Sequence, residues 1–131
     1  MRRARKNFLT VTKPRSRSAV PLERDVHARI ATWLRACLPA PWKFSTIPSG
    51  GGGMVRGAML KRMGLLPGLP DIMLWHPDGR WISLEIKRPS GGTLSDDQKI
   101  WLAWSRGNST VVRGIDEAAD FLRRHGIQVP S

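Results

Sequence analysis

The chain has 131 residues, enough for one compact domain around one core and too few for two of ordinary size, so a single functional site is expected. Its 22 Lys and Arg stand against 10 Asp and Glu, a formal charge of +12 that repels itself on folding and favours a polyanionic partner, nucleic acid ahead of an anionic membrane surface. No apolar run approaches the roughly 18 residues of a spanning helix, and no apolar stretch follows the basic N-terminus as in a secretory signal. A cytoplasmic protein without membrane association is therefore expected, and the single Cys37 excludes an intrachain disulfide and a thiolate zinc site.

Residues 1–20 carry Arg2, Arg3, Arg5, Lys6, Lys13, Arg15 and Arg17 and no acid, the composition of a flexible basic arm suited to phosphate contact or to plain solvation. From Pro21 onward Val26, Ile30, Trp33, Leu34 and Leu38 recur at spacings of three and four, which predicts an amphipathic helix that Pro39 and Pro41 bring to a stop. Glu23 and His27 lie on that stripe, one turn apart, and Cys37 falls at its apolar end as a core residue. Residues 43–47 read as a short strand and 49–53 as a flexible stretch. The run Gly50 to Gly53 lacks the Gly-Lys-Ser or Gly-Lys-Thr of a phosphate-binding loop. Residues 54–63 read as a helix capped by Gly64, and Pro67-Gly68-Leu69-Pro70 as a stiff turn.

Two strands, 72–75 and 80–87, flank His76-Pro77-Asp78-Gly79, a sequence suited to a hairpin whose three-residue loop closes with glycine in the left-handed region. A helix is expected over 95–105, a strand over 110–112 and a last helix over 116–125 with Asp116 as its N-cap. The order is α, β, α, β-β, α, β, α, without internal repeats. The tryptophans serve mainly as core, with Trp42 and Trp75 as stacking surfaces wherever they are exposed.

The hairpin loop sets a register. With His76 opposite Arg80, counting back pairs Trp75 with Trp81, Met73 with Ser83 and Asp71 with Glu85. Side chains directly opposite lie about 5 Å apart, where like charges destabilise a sheet, so two facing acids ask for a cation between them. Along the second strand Ile82, Leu84 and Ile86 alternate with Ser83, Glu85 and Lys87, which places Lys87 beside the acids and the aliphatics in the core. Oxygen donors without clustered Cys or His suit a hard ion, Mg²⁺ with Mn²⁺ able to substitute, and the Ile86 backbone carbonyl is a further candidate ligand. Such a site fits phosphodiester hydrolysis. The ordinary alternative is that Asp71 caps a strand entry while Glu85 and Lys87 form an exposed edge pair.

Gly68-Leu69-Pro70-Asp71, thirteen residues and then Glu85-Ile86-Lys87 resembles the PD-(D/E)XK nuclease superfamily, and more narrowly its VRR-NUC family. The helix and glycine turn of 57–68, the glutamine-bearing stretch 94–102 and Asp116-Glu117-Ala118-Ala119 add to the resemblance, which runs from about Pro21 to Leu122. It implies an α/β fold with a restriction-endonuclease-like core, a central mixed β-sheet flanked by helices (α-β-β-β-α-β), filling residues 21–125 between the arm and a C-terminal tail at 126–131. It also implies that Glu23 joins Asp71 and Glu85 around the metal, that Lys87 acts at the scissile phosphate and that Gln98 completes the site. Glu23 equally suits a first-turn acid facing the helix dipole, and Gln98 equally suits a capping box with Ser95. By the same resemblance the chain is a structure-selective endonuclease of branched DNA such as Holliday junctions, acting as a homodimer without a small-molecule cofactor. The competing expectation is a non-catalytic binding protein that holds phosphates through the arm and through Arg56, Lys61, Arg62, Arg88 and Lys99; a structural subunit of a larger nucleoprotein assembly comes third. Removing residues 1–19 should weaken nucleic-acid binding and flatten its salt dependence, measured as the slope of log affinity against log salt; an unchanged slope would take the arm out of the interface.

Overall fold

The computed structural model describes residues 21–48 and 53–130; the arm of 1–20 and most of the stretch 49–53 lie outside the described residues. Helix α1 spans Glu23–Cys37, strand β1 Lys43–Thr46, helix α2 Gly53–Arg62, β2 Ile72–Trp75, β3 Trp81–Ile86, α3 Asp96–Trp104, β4 Ser109–Val112 and α4 Ile115–Arg124. Among the described residues no helix is long and apolar enough to cross a membrane.

The four strands form one mixed sheet in the order β1-β2-β3-β4. β1, β2 and β3 pair antiparallel in sequence order, whereas β4 lies parallel to β3 with Ser83 opposite Ser109 and Ile86 opposite Val112. Parallel neighbours cannot be joined by a tight turn, so the chain must cross over a face of the sheet, and α3 makes that crossing. The result is an α/β fold whose central strand is covered on both faces.

One face is apolar. Ile82, Leu84 and Ile86 of β3 meet Ile72 and Leu74 of β2, Val112 of β4, the Val26-Ile30-Leu34 stripe of α1 and Ala118, Ala119, Phe121 and Leu122 of α4. Each fully buried Ile or Leu in this layer contributes about 1.5–3 kcal/mol relative to exposure. Ile127 and Val129 join the same core, so the segment set apart as a tail in sequence is packed through residue 129; Arg123 Nε donates to the Val129 carbonyl at 3.1 Å and fastens it.

α3 covers the other face. Trp101 Nε1 donates to Ser83 Oγ at 3.2 Å and to Ser109 Oγ at 3.1 Å, and the two hydroxyls hydrogen-bond each other. Near the hairpin end Trp104 stacks on Trp81 with ring centroids 6.2 Å apart. Trp75 is exposed, and Trp42 lies partly buried against His76 and beneath the Arg80 guanidinium.

The hairpin has the expected loop: His76 N–H donates to the Arg80 carbonyl at 2.9 Å and Gly79 takes φ 101°. The register follows the count as far as Ile72 opposite Leu84. Beyond that it departs. Asp71 N–H donates to the Leu84 carbonyl at 3.0 Å although Leu84 already pairs with Ile72, so two successive residues oppose one, as in a β-bulge. The expected direct pairing of Asp71 with Glu85 is thus replaced by a shifted one. Pro70 supplies the reason, since it has no N–H with which to prolong the ladder. The last helix also begins earlier than expected: Gly114 is the N-cap, while Asp116 and Glu117 occupy the first turn, where acids complement the helix dipole and Glu117 Oε1 accepts the Arg113 N–H at 2.7 Å.

Gly68 fixes how the turn before Asp71 meets α3. Its φ of 81° is in the left-handed region, and a Cβ built on it would lie 2.5 Å from the Asp97 backbone carbonyl carbon. Gly68→Ala is therefore strained and crowded at once and should destabilise the fold by more than about 1 kcal/mol in urea denaturation, where a neutral result would mean that the turn does not rest on α3.

Candidate functional site

Glu85 sits near the end of the central strand, only 3% exposed, with Lys87 at 7%. Alternation along β3 turns both toward α3, as expected, but the face is enclosed rather than open. A carboxylate in that position loses its water and must find partners in the protein.

Its partners arrive from separate elements. Gln98 of α3 donates from Nε2 to Glu85 Oε2 at 2.8 Å. The other end of that amide accepts the Ser95 N–H at 2.9 Å, while Ser95 Oγ accepts the Gln98 N–H at 3.1 Å. The capping box therefore forms, and the same side chain reaches the acid; one residue sets the start of α3 and ties it to the strand. Lys87 Nζ lies 3.7 Å from Glu85 Oε2, 3.9 Å from Glu23 Oε1 and 3.4 Å from Gln98 Oε1, to which it donates. Asp71, freed from the ladder by the bulge, accepts the Ile86 N–H through Oδ2 at 2.7 Å. Because the N–H and C=O of a strand residue face the same edge, the Ile86 carbonyl is directed toward Asp71 as well.

The five residues singled out in sequence, Glu23, Asp71, Glu85, Lys87 and Gln98, are thus linked at one end of β3. Burial pushes the Glu85 carboxyl up to about 8; repulsion from the Asp71 carboxylate and a hydrogen bond with it push the same way, the Lys87 ammonium opposes them, and Glu23 adds to the rise. Glu23 itself is 48% exposed in its side chain and meets the group through Lys87. His27 stays outside, its Nε2 3.0 Å from Thr46 Oγ1.

Among the described residues no three Asp, Glu, His or Cys side chains gather closely enough to form a complete metal cage. The nearest approach to one is the carboxylate pair Asp71 and Glu85 with the Ile86 carbonyl at the same edge. That donor set is all oxygen, and a carboxyl whose pKa is raised first by burial and then by a like-charged neighbour is in the condition a hard divalent cation relieves, so these groups fit Mg²⁺ or Mn²⁺. Glu23 stands farther out, turned to Lys87. Arg56, Lys61, Arg62, Arg88 and Lys99 are all exposed, the first three on α2 and Lys99 beside Gln98.

The Ser83-Ser109-Trp101 group and Arg113 were not anticipated. Ser83 shares the Glu85 face, but its partner Ser109 is identified only by the parallel register of β3 and β4. Arg113 follows β4 and bonds backbone carbonyls, which leaves no sequence signature.

The raised Glu85 carboxyl sets a pH dependence of stability. Between its ordinary value of 4.5 and about 8 the folded protein holds a proton that the unfolded chain has released, so this contribution is complete below 4.5 and is lost as pH rises through 8. In chelator, the urea midpoint should fall across that window and Glu85→Gln should flatten the fall; parallel profiles for both proteins would contradict the assignment. Comparison with family models, with curated proteins and with solved structures yields no match to this chain.

Proposed function

We propose that this protein is a divalent-metal-dependent nuclease of the PD-(D/E)XK kind, resembling the VRR-NUC family, with a restriction-endonuclease-like core. The observation that carries the proposal is the meeting of buried Glu85 and half-buried Asp71 with Lys87 and Gln98 at one end of the central strand. A buried acid and lysine beside a second, half-buried acid rarely persist for stability alone, since the desolvation of such groups often exceeds their mutual attraction.

In this proposal Asp71, Glu85 and the Ile86 carbonyl hold the cation, with Glu23 contributing at the outer side. A bound cation supplies polarisation of a phosphoryl oxygen and a coordinated water of lowered pKa. Lys87 presents its ammonium where negative charge develops at the scissile phosphate, and it is pre-positioned by Glu23, Glu85 and Gln98 rather than by solvent. Gln98 fixes the orientation of the Glu85 carboxylate through Nε2 and orients Lys87 through Oε1. The exposed basic residues of α2 together with Arg88 and Lys99 give the phosphate backbone its long-range attraction in a chain of charge +12. DNA is the proposed substrate, branched duplexes such as Holliday junctions in particular, and a homodimer would bring two sites to one junction. The alternative is a non-catalytic binding protein. It is favoured by the absence of a three-acid cluster among the described residues.

Labelled four-way junction, flap, duplex and single-stranded DNA, incubated with Mg²⁺, Mn²⁺ or chelator, decide between the two. Cleavage should require metal, should be abolished by Asp71→Ala, and should fall about 100-fold or more in Lys87→Ala with the fold retained. Binding without cleavage under every condition would leave the binding protein as the better account.

A further inference from the structure

Lys87 lies just past β3, where its N–H still donates to the Val112 carbonyl at 3.0 Å, and the chain then bends at Pro89 and Ser90 and continues through Gly91 and Gly92. Gly91 and Gly92 both take left-handed conformations, φ 77° and 72°, which a side chain would strain. This turn is not held by the sheet. It is held by Arg113, whose Nη1 donates to the Arg88 carbonyl at 2.8 Å and to the Gly91 carbonyl at 2.8 Å. Arg113 follows the Val112 that pairs with Ile86, and its own N–H is fastened to Glu117 Oε1 at 2.7 Å in the first turn of α4. The turn passes beside the lysine stem: a Cβ built on Gly92 would lie at ordinary contact distance, 3.6 Å from Lys87 Cδ and 3.9 Å from Lys87 Cβ.

We infer that Arg113 is a positioning residue for Lys87: it clamps the turn of residues 88–92, and the clamped turn walls the lysine stem so that its ammonium stays among Glu23, Glu85 and Gln98. An arginine used for phosphate contact would keep its guanidinium free, whereas here one nitrogen spans two carbonyls of the same turn. A lysine ammonium can span two carbonyls as well, so Arg113→Lys should preserve the clamp where Arg113→Ala removes it. The consequence for cleavage rests on the nuclease proposal; the effect on Lys87 itself does not.

The test compares the wild type with Arg113→Ala, Arg113→Lys and Gly91→Ala, which strains the same turn at one of the two residues Arg113 holds while leaving the Arg113 side chain in place. Three quantities are read: amide hydrogen exchange over residues 88–92, the rate at which acetic anhydride acetylates Lys87 as followed by peptide mass, and kcat and KM on the best-cut DNA. Arg113→Ala and Gly91→Ala should each speed exchange in the turn and acetylation of Lys87 by about tenfold. They should lower kcat with KM nearly unchanged, and Arg113→Lys should restore most of both. An unchanged Lys87 acetylation rate, or equal losses in the Ala and Lys variants of Arg113, overturns the inference. A raised KM with a shallower salt dependence also overturns it, making Arg113 a phosphate contact. If the wild type cuts nothing while Lys87 acetylation responds as stated, the clamp stands and the nuclease proposal falls.

Discussion

Burial of the Glu85 carboxylate is the constraint around which this end of the molecule is organised. An acid on the central strand of a sheet, with an aliphatic core on one face and a helix on the other, has little access to water and must be satisfied by protein groups. The groups around it come from distant parts of the chain: Gln98 from the first turn of α3 and Lys87 from just past β3 contact it favourably, Asp71 from the turn before β2 both hydrogen-bonds and repels it, and Glu23 from the start of α1 is joined through Lys87. No local folding preference would bring them together. Gln98 arrives through the β3-α3-β4 crossover, which lays α3 back along the strand it has just left, while Asp71 arrives through the β2-β3 pairing and Glu23 from the start of α1.

The course of α3 over β3 is fixed at successive points. Gln98 meets Glu85, Trp101 meets Ser83 and Trp104 meets Trp81, so the helix runs antiparallel to the strand from the charged end to the aromatic end. Two devices set its start: the Ser95-Gln98 capping box and the bare backbone of Gly68, which lets the turn ahead of Asp71 rest on Asp97. The same contacts that begin the helix therefore also set the distance between Asp71 and Gln98. Gln98 therefore both caps α3 and holds the Glu85 carboxyl, and neither contact excludes the other.

Charge is distributed in opposition. The chain as a whole carries +12, yet two of its 10 acids, Asp71 and Glu85, meet at one strand end and a third, Glu23, is joined to them through Lys87. Long-range attraction draws a polyanion toward the protein, while the acids repel phosphate at the last few ångströms. Under the proposed function a divalent cation resolves that conflict, and Lys87 resolves part of it without one. The bulge at Asp71 belongs to the same logic, because a carboxylate directly opposite Glu85 in a regular ladder would have its oxygens committed to the strand face, whereas the shifted backbone lets it take the Ile86 N–H and share that edge with the Ile86 carbonyl.

The sequence by itself determined the elements and which side chains share one end of β3. Apolar spacing marked α1, the alternation of Ile82, Leu84 and Ile86 marked the core face of β3, and Pro77-Asp78-Gly79 set the hairpin register to within one residue of Asp71. These are short-range effects of backbone geometry and side-chain periodicity, and they act over a few neighbours. Tertiary structure decided the rest. The bulge depended on Pro70 ending the ladder, the start of α4 on Glu117 reaching the Arg113 N–H, and the inclusion of Ile127 and Val129 on a core whose last gap lay beyond the final helix. Enclosure of Glu85 and Lys87, the Ser83-Ser109-Trp101 bonds and the Arg113 clamp all depend on which strand lies beside β3 and which helix lies over it. Pairings between residues far apart in the chain leave no periodic trace in it, so only the folded arrangement could fix them.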